Sequence, residues 1–198
     1  MTFPLLIAAA LVAATNAFAG VRPEAAIVAG GCFWCLEEDF SGMKGVISVE
    51  TGYAGGSLSE PTYRDVSAGR TDHLFAVRIL FDPATLSYGT LLQRFLRDID
   101  PTDAGGQFCE RGPQHRAAIF PLDAAQARTA AAAVADLERR IERPLAVQLR
   151  GETGFWPAER VHQDYAQRYP KRYEFYRRSC RIEERRRRVW DTLLPGPG

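Results

Sequence analysis

One stretch of alternating residues constrains the fold of this chain more than any other feature. In residues 73–82 the apolar side chains of Phe75, Val77, Ile79 and Phe81 fall at every second position, which is the period of a strand with one apolar face. A single strand cannot bury such a face by itself. The chain must therefore build a sheet and cover it with a second layer.

The other segments alternate between strand and helix patterns. A short apolar strand at 25–29 ends in two glycines, and a helical pattern follows at 35–40. Asp123 with Gln126 resembles a capping box that opens an alanine-rich helix, and Pro144 ends that helix. Further strands are predicted at 46–51, 117–120 and 145–149, a further helix at 86–99, and loops at 52–61 and 100–114. This order predicts one α/β or α+β domain with helices packed on a sheet.

The N-terminus predicts export. The first 19 residues are almost wholly apolar or small and end in the small-x-small pattern of a signal-peptidase site, although no Lys or Arg precedes the apolar stretch. The stretch is short for a membrane span, so we expect a signal peptide at 1–19 that is cleaved near Ala19. The mature protein would then be a single periplasmic domain at 20–198, with 170–198 as a C-terminal helical tail.

The charge balance excludes two classes of partner. The chain has 25 basic and 24 acidic side chains, so no global field attracts nucleic acid or an anionic membrane. The four arginines at 185–188 follow Glu183 and Glu184, and a solvated helical face is the preferred interpretation of this run. We expect no nucleic-acid partner and no stable membrane association. We also expect a monomer.

Cys32 stands where the first strand meets the first helix, directly after two glycines. Its sulfur would lie near free backbone N–H groups and the positive end of the helix, and both favour a thiolate over a thiol. The acidic residues at 37–39 are predicted to fall in the first turn, where negative charge suits the helix dipole. Cys32 is therefore a candidate nucleophile.

Other interpretations of the cysteines remain open at this point. In an oxidising compartment Cys32, Cys35, Cys109 and Cys180 could form two structural disulfides. Cys32 and Cys35 also fit a C-x-x-C redox pair of the thioredoxin type, or half of a zinc site that Cys109 and His115 would complete. Zinc is disfavoured because the sequence has no second C-x-x-C and no H-x-x-x-H unit.

The two residues between the cysteines favour a different chemistry. Phe33 and Trp34 put large aromatic rings beside the nucleophile, where a disulfide exchanger acting on protein thiols has small or charged residues. Aromatic rings next to a thiolate suggest a pocket for an apolar, polarisable group. A methyl sulfoxide is such a group, because it combines sulfur, a methyl and one strongly hydrogen-bonding oxygen.

Residues 30–35 (GGCFWC) resemble the active-site motif of the A-type peptide methionine sulfoxide reductases. Later segments are similar to the same family in the same order, and the similarity spans roughly residues 27–180. The resemblance implies an α+β two-layer sandwich with a ferredoxin-like sheet, and no metal or bound organic cofactor. The similar segments are TGYAGG at 51–56, PTY at 61–63 with Val66, FDP at 81–83, DPT at 100–102, FWPAE at 155–159 and HQDY at 162–165.

The resemblance also implies a mechanism and a set of site residues. In this family a thiolate attacks the sulfoxide sulfur, which yields methionine and a sulfenic acid that a second thiol converts to a disulfide. Cys32 would be the nucleophile, Phe33 and Trp34 would hold the methyl group, and Tyr53 would bind the sulfoxide oxygen. Trp156, where the family often has tyrosine, would close the pocket as an aromatic wall.

Three pocket positions depart from the family pattern. Phe75 stands where the family has its catalytic glutamate, and the strand period gives Phe75 a packing role. Glu110 aligns with a family aspartate and His115 with a tyrosine just beyond it. Either side chain could supply the missing proton, since a general acid needs reach and a suitable pKa. His162 is expected to pack or hydrogen-bond within its helix.

The resolving thiol has three candidates. Cys180 is the first choice because a flexible tail can swing to the active site, as resolving cysteines of the family often do. Cys35 is the competitor, although on a helix its side chain can point into the core. Cys109 could pair structurally or relay the disulfide. Each alternative requires a thioredoxin-like reductant to complete the cycle.

The sequence leads to one main hypothesis and two others. The main one is an exported enzyme that reduces the S epimer of methionine sulfoxide, free or in proteins. The changes at Phe75 and His115 allow a second, a sulfoxide- or methionine-binding module with little turnover. The C-x-x-C pair allows a third, a thiol-disulfide oxidoreductase that acts on protein cysteines.

Overall fold

A computed structural model of the protein describes residues 22–151 and 154–194, so the predicted signal peptide at 1–19 lies outside the described residues. The strands are β1 (Glu24–Ala29), β2 (Val46–Ala54), β3 (Leu74–Phe81), β4 (Gly106–Gln107), β5 (Glu110–Arg111), β6 (Ala118–Phe120), β7 (Gln148–Leu149) and β8 (Phe155–Pro157). The α-helices are α1 (Phe33–Ser41), α2 (Tyr63–Ser67), α3 (Tyr88–Asp98), α4 (Ala124–Ile141), α5 (Tyr165–Arg168), α6 (Pro170–Ser179) and α7 (Ile182–Leu193). Short 3₁₀ helices occupy Pro113–His115 and Arg160–His162.

The main sheet has the strand order β7-β6-β1-β3-β2-β8. All neighbouring pairs are antiparallel except β6 and β7, which are parallel. The central order β6-β1-β3-β2, with α1 between β1 and β2 and α3 between β3 and β6, is the ferredoxin-like βαββαβ arrangement. The segment predicted at 73–82 is therefore confirmed as a central strand, and the α+β fold expected from the sequence is confirmed with it.

The two faces of the sheet are covered differently. The large core lies on the face that carries Phe75, Val77 and Ile79, and α1, α3, α4 and α7 all bury apolar residues in it. The opposite face carries a smaller cluster that includes Leu74 and Phe120, against which partly buried loop and edge-strand residues pack. The result is two layers, one sheet and one layer of helices.

The C-terminal tail is helical as predicted, but it is docked and does not hang free. In α7, Trp190 and Leu193 are buried in the large core, and the indole N–H of Trp190 donates to the Arg97 carbonyl at 2.8 Å. Arg186 bridges the carboxylates of Asp39 and Asp98. The swinging tail expected for Cys180 is thus corrected, because apolar burial and half-buried ion pairs fix this segment to the domain.

Several element boundaries differ from those predicted. Helix α1 begins at Phe33, two residues early, so residues 37–39 lie beyond its first turn. Strand β2 continues through Ala54 because residues 52–54 pair with β3 and β8, and the predicted glycine-rich loop begins only after them. The strand predicted at 145–149 is shorter in the structure, because only Gln148 and Leu149 pair with β6.

The two ends of α4 also differ from the sequence expectation. The Asp123 side chain accepts the Gln126 N–H at 2.7 Å, but the Gln126 side chain turns back to the N–H of Leu122, so the capping box is only half formed. The helix ends at Ile141, ahead of Pro144, because Glu142 adopts the left-handed conformation. In the described part of the chain, no helix is long and apolar enough to cross a membrane.

Candidate active site

Cys32 is the N-cap residue of α1, and two glycines bring β1 into this helix. Gly31 has a φ of 75°, and a Cβ at this position would lie 2.7 Å from the Cβ of Gln107. The Cys32 carbonyl accepts the N–H groups of Cys35 and Leu36 at 3.0 and 3.2 Å. The sulfur itself caps no backbone N–H among the described residues, so it is available at the positive end of the helix.

A pocket of about 220 Å³ opens at Cys32. It is large enough for a side chain of the size of methionine sulfoxide but small for a drug-sized ligand. Its wall joins the start of α1, helix α2, the central strand β3 and the segment 110–115. The lining residues are Gly31, Cys32, Phe33, Trp34, Tyr63, Ser67, Phe75, Glu110 and His115.

Aromatic rings form the apolar wall of this pocket. Phe75 is 3% exposed, and its ring lies 4.9 Å from the Phe33 ring, edge to face, and 5.0 Å from the His115 ring. Trp34 stacks on Tyr165 with ring centroids 3.9 Å apart. Phe75 therefore has the packing role that the strand period predicts, and it also lines the pocket.

The polar side of the pocket contains Glu110 and His115. The Nε2 atom of His115 lies 3.5 Å from Oε2 of Glu110, and the His115 carbonyl accepts the N–H of Gly31 at 3.0 Å. Burial lowers the pKa of His115, although the Glu110 carboxylate and the Gly31 carbonyl act in the opposite direction. A neutral imidazole thus lies beside a carboxyl group, next to the nucleophile.

Tyr63 is a further hydroxyl in the pocket. Its ring stacks on the ring of His162 at 4.3 Å, so His162 supports the site by packing. Burial, followed by the nearby Glu110 and Cys32, raises the pKa of Tyr63, which therefore remains a hydrogen-bond donor at neutral pH. The motif at 61–63 contained this residue, but nothing in the sequence indicated that it lines the pocket.

Tyr53 and Trp156 are corrected, because neither is among the described residues that line the pocket. Tyr53 is fully buried, and its O–H donates to Oε2 of Glu159 at 2.5 Å, while Oε1 accepts the N–H of Tyr63 at 2.8 Å. Burial opposes ionisation of Glu159, but these hydrogen bonds prevail and lower its pKa. Trp156 pairs with Tyr53 across β2 and β8. Tyr53 is therefore connected to Tyr63 through Glu159.

The structure divides the four cysteines into two groups. Cys109 and Cys180 form a disulfide, whereas Cys32 and Cys35 are not bonded to another cysteine. A hydrogen bond with the Cys32 side chain, and then burial, raise the pKa of the Cys35 thiol. Since Cys109 is in a disulfide, it cannot join His115 in a zinc site, which removes that alternative.

Tyr176 completes the site from the C-terminal tail. Its O–H donates to Oε1 of Glu110 at 2.5 Å, and its ring lies edge-on to Trp34. Burial, followed by the neighbouring thiols Cys32 and Cys35, raises its pKa, so Tyr176 stays protonated. It lies 66 residues beyond Glu110, and sequence reasoning had no signal for this contact.

A cysteine at a strand-to-helix junction, facing an aromatic pocket with a carboxyl group and an imidazole, defines a cysteine-dependent enzyme with an α+β fold. The profile of one family, described as peptide methionine sulfoxide reductase, matches residues 24–194. The chain belongs to this family, and its relatives place it in the A type.

The relatives cover three quarters of this chain or more. Peptide methionine sulfoxide reductase MsrA 2 of Caulobacter vibrioides is 44% identical over 190 residues, which are 94% of this chain and 96% of that protein. The solved structure of methionine sulfoxide reductase A of Corynebacterium diphtheriae is 27% identical, with a TM-score of 0.68 over 75% of this chain and 76% of that chain. Reduced Mxr1 of Saccharomyces cerevisiae, 24% identical, shares the fold with a TM-score of 0.71 over 76% and 88% of the two chains.

Proposed function

We propose that this protein reduces the S epimer of methionine sulfoxide to methionine, as the free amino acid or in proteins. The observation that carries the proposal is the pocket at Cys32, where the nucleophile lies between an aromatic wall and the pair Glu110 and His115. The aromatic side suits a methyl thioether, and the polar side suits the sulfoxide oxygen. Family membership supports the same activity.

The reaction begins with attack of the Cys32 thiolate on the sulfoxide sulfur. The new S–S bond electrons come from the thiolate, and the sulfoxide oxygen takes up a proton from the pocket. The oxygen then passes from the methionine sulfur to the Cys32 sulfur as a hydroxyl group, and the S–S bond breaks with its electron pair left on the methionine sulfur. Methionine and a sulfenic acid on Cys32 remain, so methionine sulfoxide is reduced while the cysteine is oxidised. Condensation of the sulfenic acid with a second thiol then releases water and forms a disulfide.

Glu110 with His115 is our proposed source of the proton. Phe75 has no transferable proton. Glu110 and His115 lie 3.5 Å apart and line the same pocket as Cys32. A protonated carboxyl group at this position can pass its proton to the sulfoxide oxygen, and the neighbouring imidazole can return a proton to the carboxylate.

The proton-donor proposal is tested by substitution. We expect Glu110→Gln to lower kcat by about 100-fold, the lower end of the usual range for a general acid, with a smaller loss for His115→Ala. Glu174→Gln is the matched control, because Glu174 is an exposed α6 residue that pairs with Arg178. If both pocket variants kept the wild-type rate, we would abandon this assignment.

We propose Cys35 as the thiol that first resolves the sulfenic acid. Cys35 lies one helical turn beyond Cys32 in α1, and the two side chains pack in the same cluster. Cys180, the first choice from the sequence, is bonded to Cys109 and cannot attack until that bond is reduced or exchanged. A thioredoxin-like reductant would complete the cycle. A second structure of yeast Mxr1, 18% identical with a TM-score of 0.53, is a complex with Trx2.

The activity is tested by incubating the reduced protein with each methionine sulfoxide epimer and dithiothreitol. We expect methionine from the S epimer only, and none after Cys32→Ser. Binding of sulfoxide without turnover would instead indicate a binding module. Reduction of insulin disulfides with sulfoxide untouched would indicate a thiol-disulfide oxidoreductase.

We also propose that the protein is exported to the periplasm and acts as a monomer. The support for export is the apolar segment at 1–19 with its small-x-small end. Mass spectrometry of the protein from a periplasmic extract would give a mature N-terminus at Gly20. An intact Met1 would contradict cleavage, and light scattering of the purified protein would measure the mass in solution.

A further inference from the structure

We propose that Tyr176 is a positioning residue that orients the Glu110 carboxyl group toward the pocket, and that the Cys109–Cys180 disulfide clamps this contact. The inference rests on the proposed function and deepens it. It gives the disulfide a role in the first chemical step, before any thiol exchange, and it makes the C-terminal tail part of the active site.

The contact between the tail and Glu110 is direct. Tyr176 donates to Oε1 of Glu110, and the other carboxylate oxygen, Oε2, lies 3.5 Å from His115. With Oε1 occupied, rotation of the carboxyl group is restricted and Oε2 stays beside the imidazole. A second, small cavity of about 20 Å³ separates Cys32 from Cys109 and is lined by Glu110 and Tyr176 as well. The contact therefore lies directly behind the nucleophile.

The disulfide holds both partners of this contact. Cys109 precedes Glu110, and Cys180 lies one helical turn beyond Tyr176, whose carbonyl accepts the Cys180 N–H at 2.9 Å. The Tyr176 hydroxyl is also 3.9 Å from the Cys109 sulfur. A covalent bond thus links the neighbour of the acid to the helix that carries the donor, so the two cannot separate while the disulfide is intact.

Glu110 needs external support because of where it sits. It begins β5, which pairs with β4 through two residue pairs only, joined by the turn at Phe108 and Cys109. Phe108 has a φ of 52°, a left-handed conformation that is unfavourable for a bulky residue. Arg185 of α7 donates to the Phe108 carbonyl at 3.0 Å. The tail therefore holds this strained turn by a disulfide and a hydrogen bond.

The first test is Tyr176→Phe, which removes the hydroxyl and keeps the ring against Trp34. We expect kcat for the S epimer to fall roughly 10-fold, as expected when the acid loses the one hydrogen bond that orients it, with KM changed less than about 2-fold. Tyr173→Phe is the matched control, since Tyr173 is a buried tyrosine of the same helix whose hydroxyl accepts from Arg177. The control should keep the wild-type kcat. Equal kcat values for wild type and Tyr176→Phe would overturn the positioning role.

A double-mutant cycle separates positioning from a general effect on folding. If Tyr176 acts through Glu110, adding Tyr176→Phe to Glu110→Gln should cause no further loss of kcat beyond about 2-fold. Losses that multiply would show that Tyr176 acts independently, and would overturn the proposal. If wild type itself made no methionine, the proposed function would fail, and this outcome is distinct from an unaffected Tyr176→Phe variant.

The clamp is tested in a single turnover without reductant. Peptide mass spectrometry first verifies that Cys109–Cys180 is bonded and that Cys32 is reduced. We expect Cys109→Ser/Cys180→Ser to form its first equivalent of methionine several-fold more slowly than wild type, as Tyr176→Phe does. A pair of cysteines that served only to resolve the sulfenic acid would leave this first rate unchanged, and that result would overturn the clamp.

Discussion

Glu37 offers a direct test of how α1 is tied to the pocket. This residue is only 3% exposed, and its carboxylate accepts the backbone N–H groups of Asp164 and Tyr165 at 2.8 and 3.1 Å. Tyr165 in turn stacks on Trp34 of the pocket wall. Glu37 therefore connects the helix that carries the nucleophile to the segment that supports its aromatic wall.

The size and sign of the effect follow from the pKa of Glu37. Burial raises it from 4.5 to about 7, against the two backbone hydrogen bonds, which lower it. Below pH 4.5 the group is protonated in both the folded and the unfolded chain and has no effect. Between pH 4.5 and 7 the unfolded chain loses its proton first, so the free energy of unfolding should fall by roughly 3 kcal/mol and then level off.

Urea unfolding of wild type and Glu37→Gln at pH 5, 6, 7 and 8 measures this effect. Glutamine is neutral throughout, so the stability of wild type relative to the variant should decrease by roughly 2–3 kcal/mol between pH 5 and 8. Glu38→Gln, which removes a carboxylate at the exposed neighbouring position of the same helix, is the matched control. If the Glu37→Gln difference were independent of pH, the reasoning from burial would be refuted.

Two further substitutions test the docked tail and the turn before the nucleophile. Trp190→Ala should lower the free energy of unfolding, measured by urea titration, by about 3–5 kcal/mol, because it empties a core position and removes the hydrogen bond to Arg97. A loss below about 1 kcal/mol would mean that α7 is not docked. Gly31→Ala should lower both Tm and kcat/KM, since its φ is 75° and its new Cβ would meet Gln107, whereas Gly42→Ala, with nothing within 4 Å, should lower neither. An active Gly31→Ala enzyme would contradict the close packing of this turn.

Local patterns were sufficient to predict the framework of the fold. The alternation through Val77 and Ile79 identifies the central strand because a strand in a sheet must separate its two faces, and both side chains are fully buried. The apolar residues of α3 similarly recur at helical spacing and all face the core. The two glycines before Cys32 mark the tight entry into α1. These features depend on neighbours close in sequence, which a single chain displays.

Contacts between distant segments could not be predicted in this way. Four cysteines can form two disulfides in three arrangements, or a single disulfide between any two of them. The spacing in the sequence does not select the bond between Cys109 and Cys180. The role of Tyr53 depends on Glu159, which lies 106 residues away and accepts a hydrogen bond from the Tyr53 hydroxyl. Both outcomes follow from tertiary packing, because a buried polar group bonds to whichever partner the fold brings close.

The distribution of groups around Cys32 also bears on which epimer reacts. Cys32 attacks the sulfoxide sulfur along the S–O axis, from the side opposite the oxygen. The sulfoxide oxygen must receive a proton, so it must point to Glu110 and His115. Phe33, Trp34 and Phe75 form the apolar side of the pocket, which suits the methyl group. Once the oxygen and the methyl group have fixed places, the two epimers differ in where the rest of the methionine side chain lies, so only one of them can direct it to the opening. Because Phe75 adds no polar group to the apolar wall, an oxygen turned toward this wall would be away from Glu110 and His115, which gives a physical reason for selectivity at sulfur.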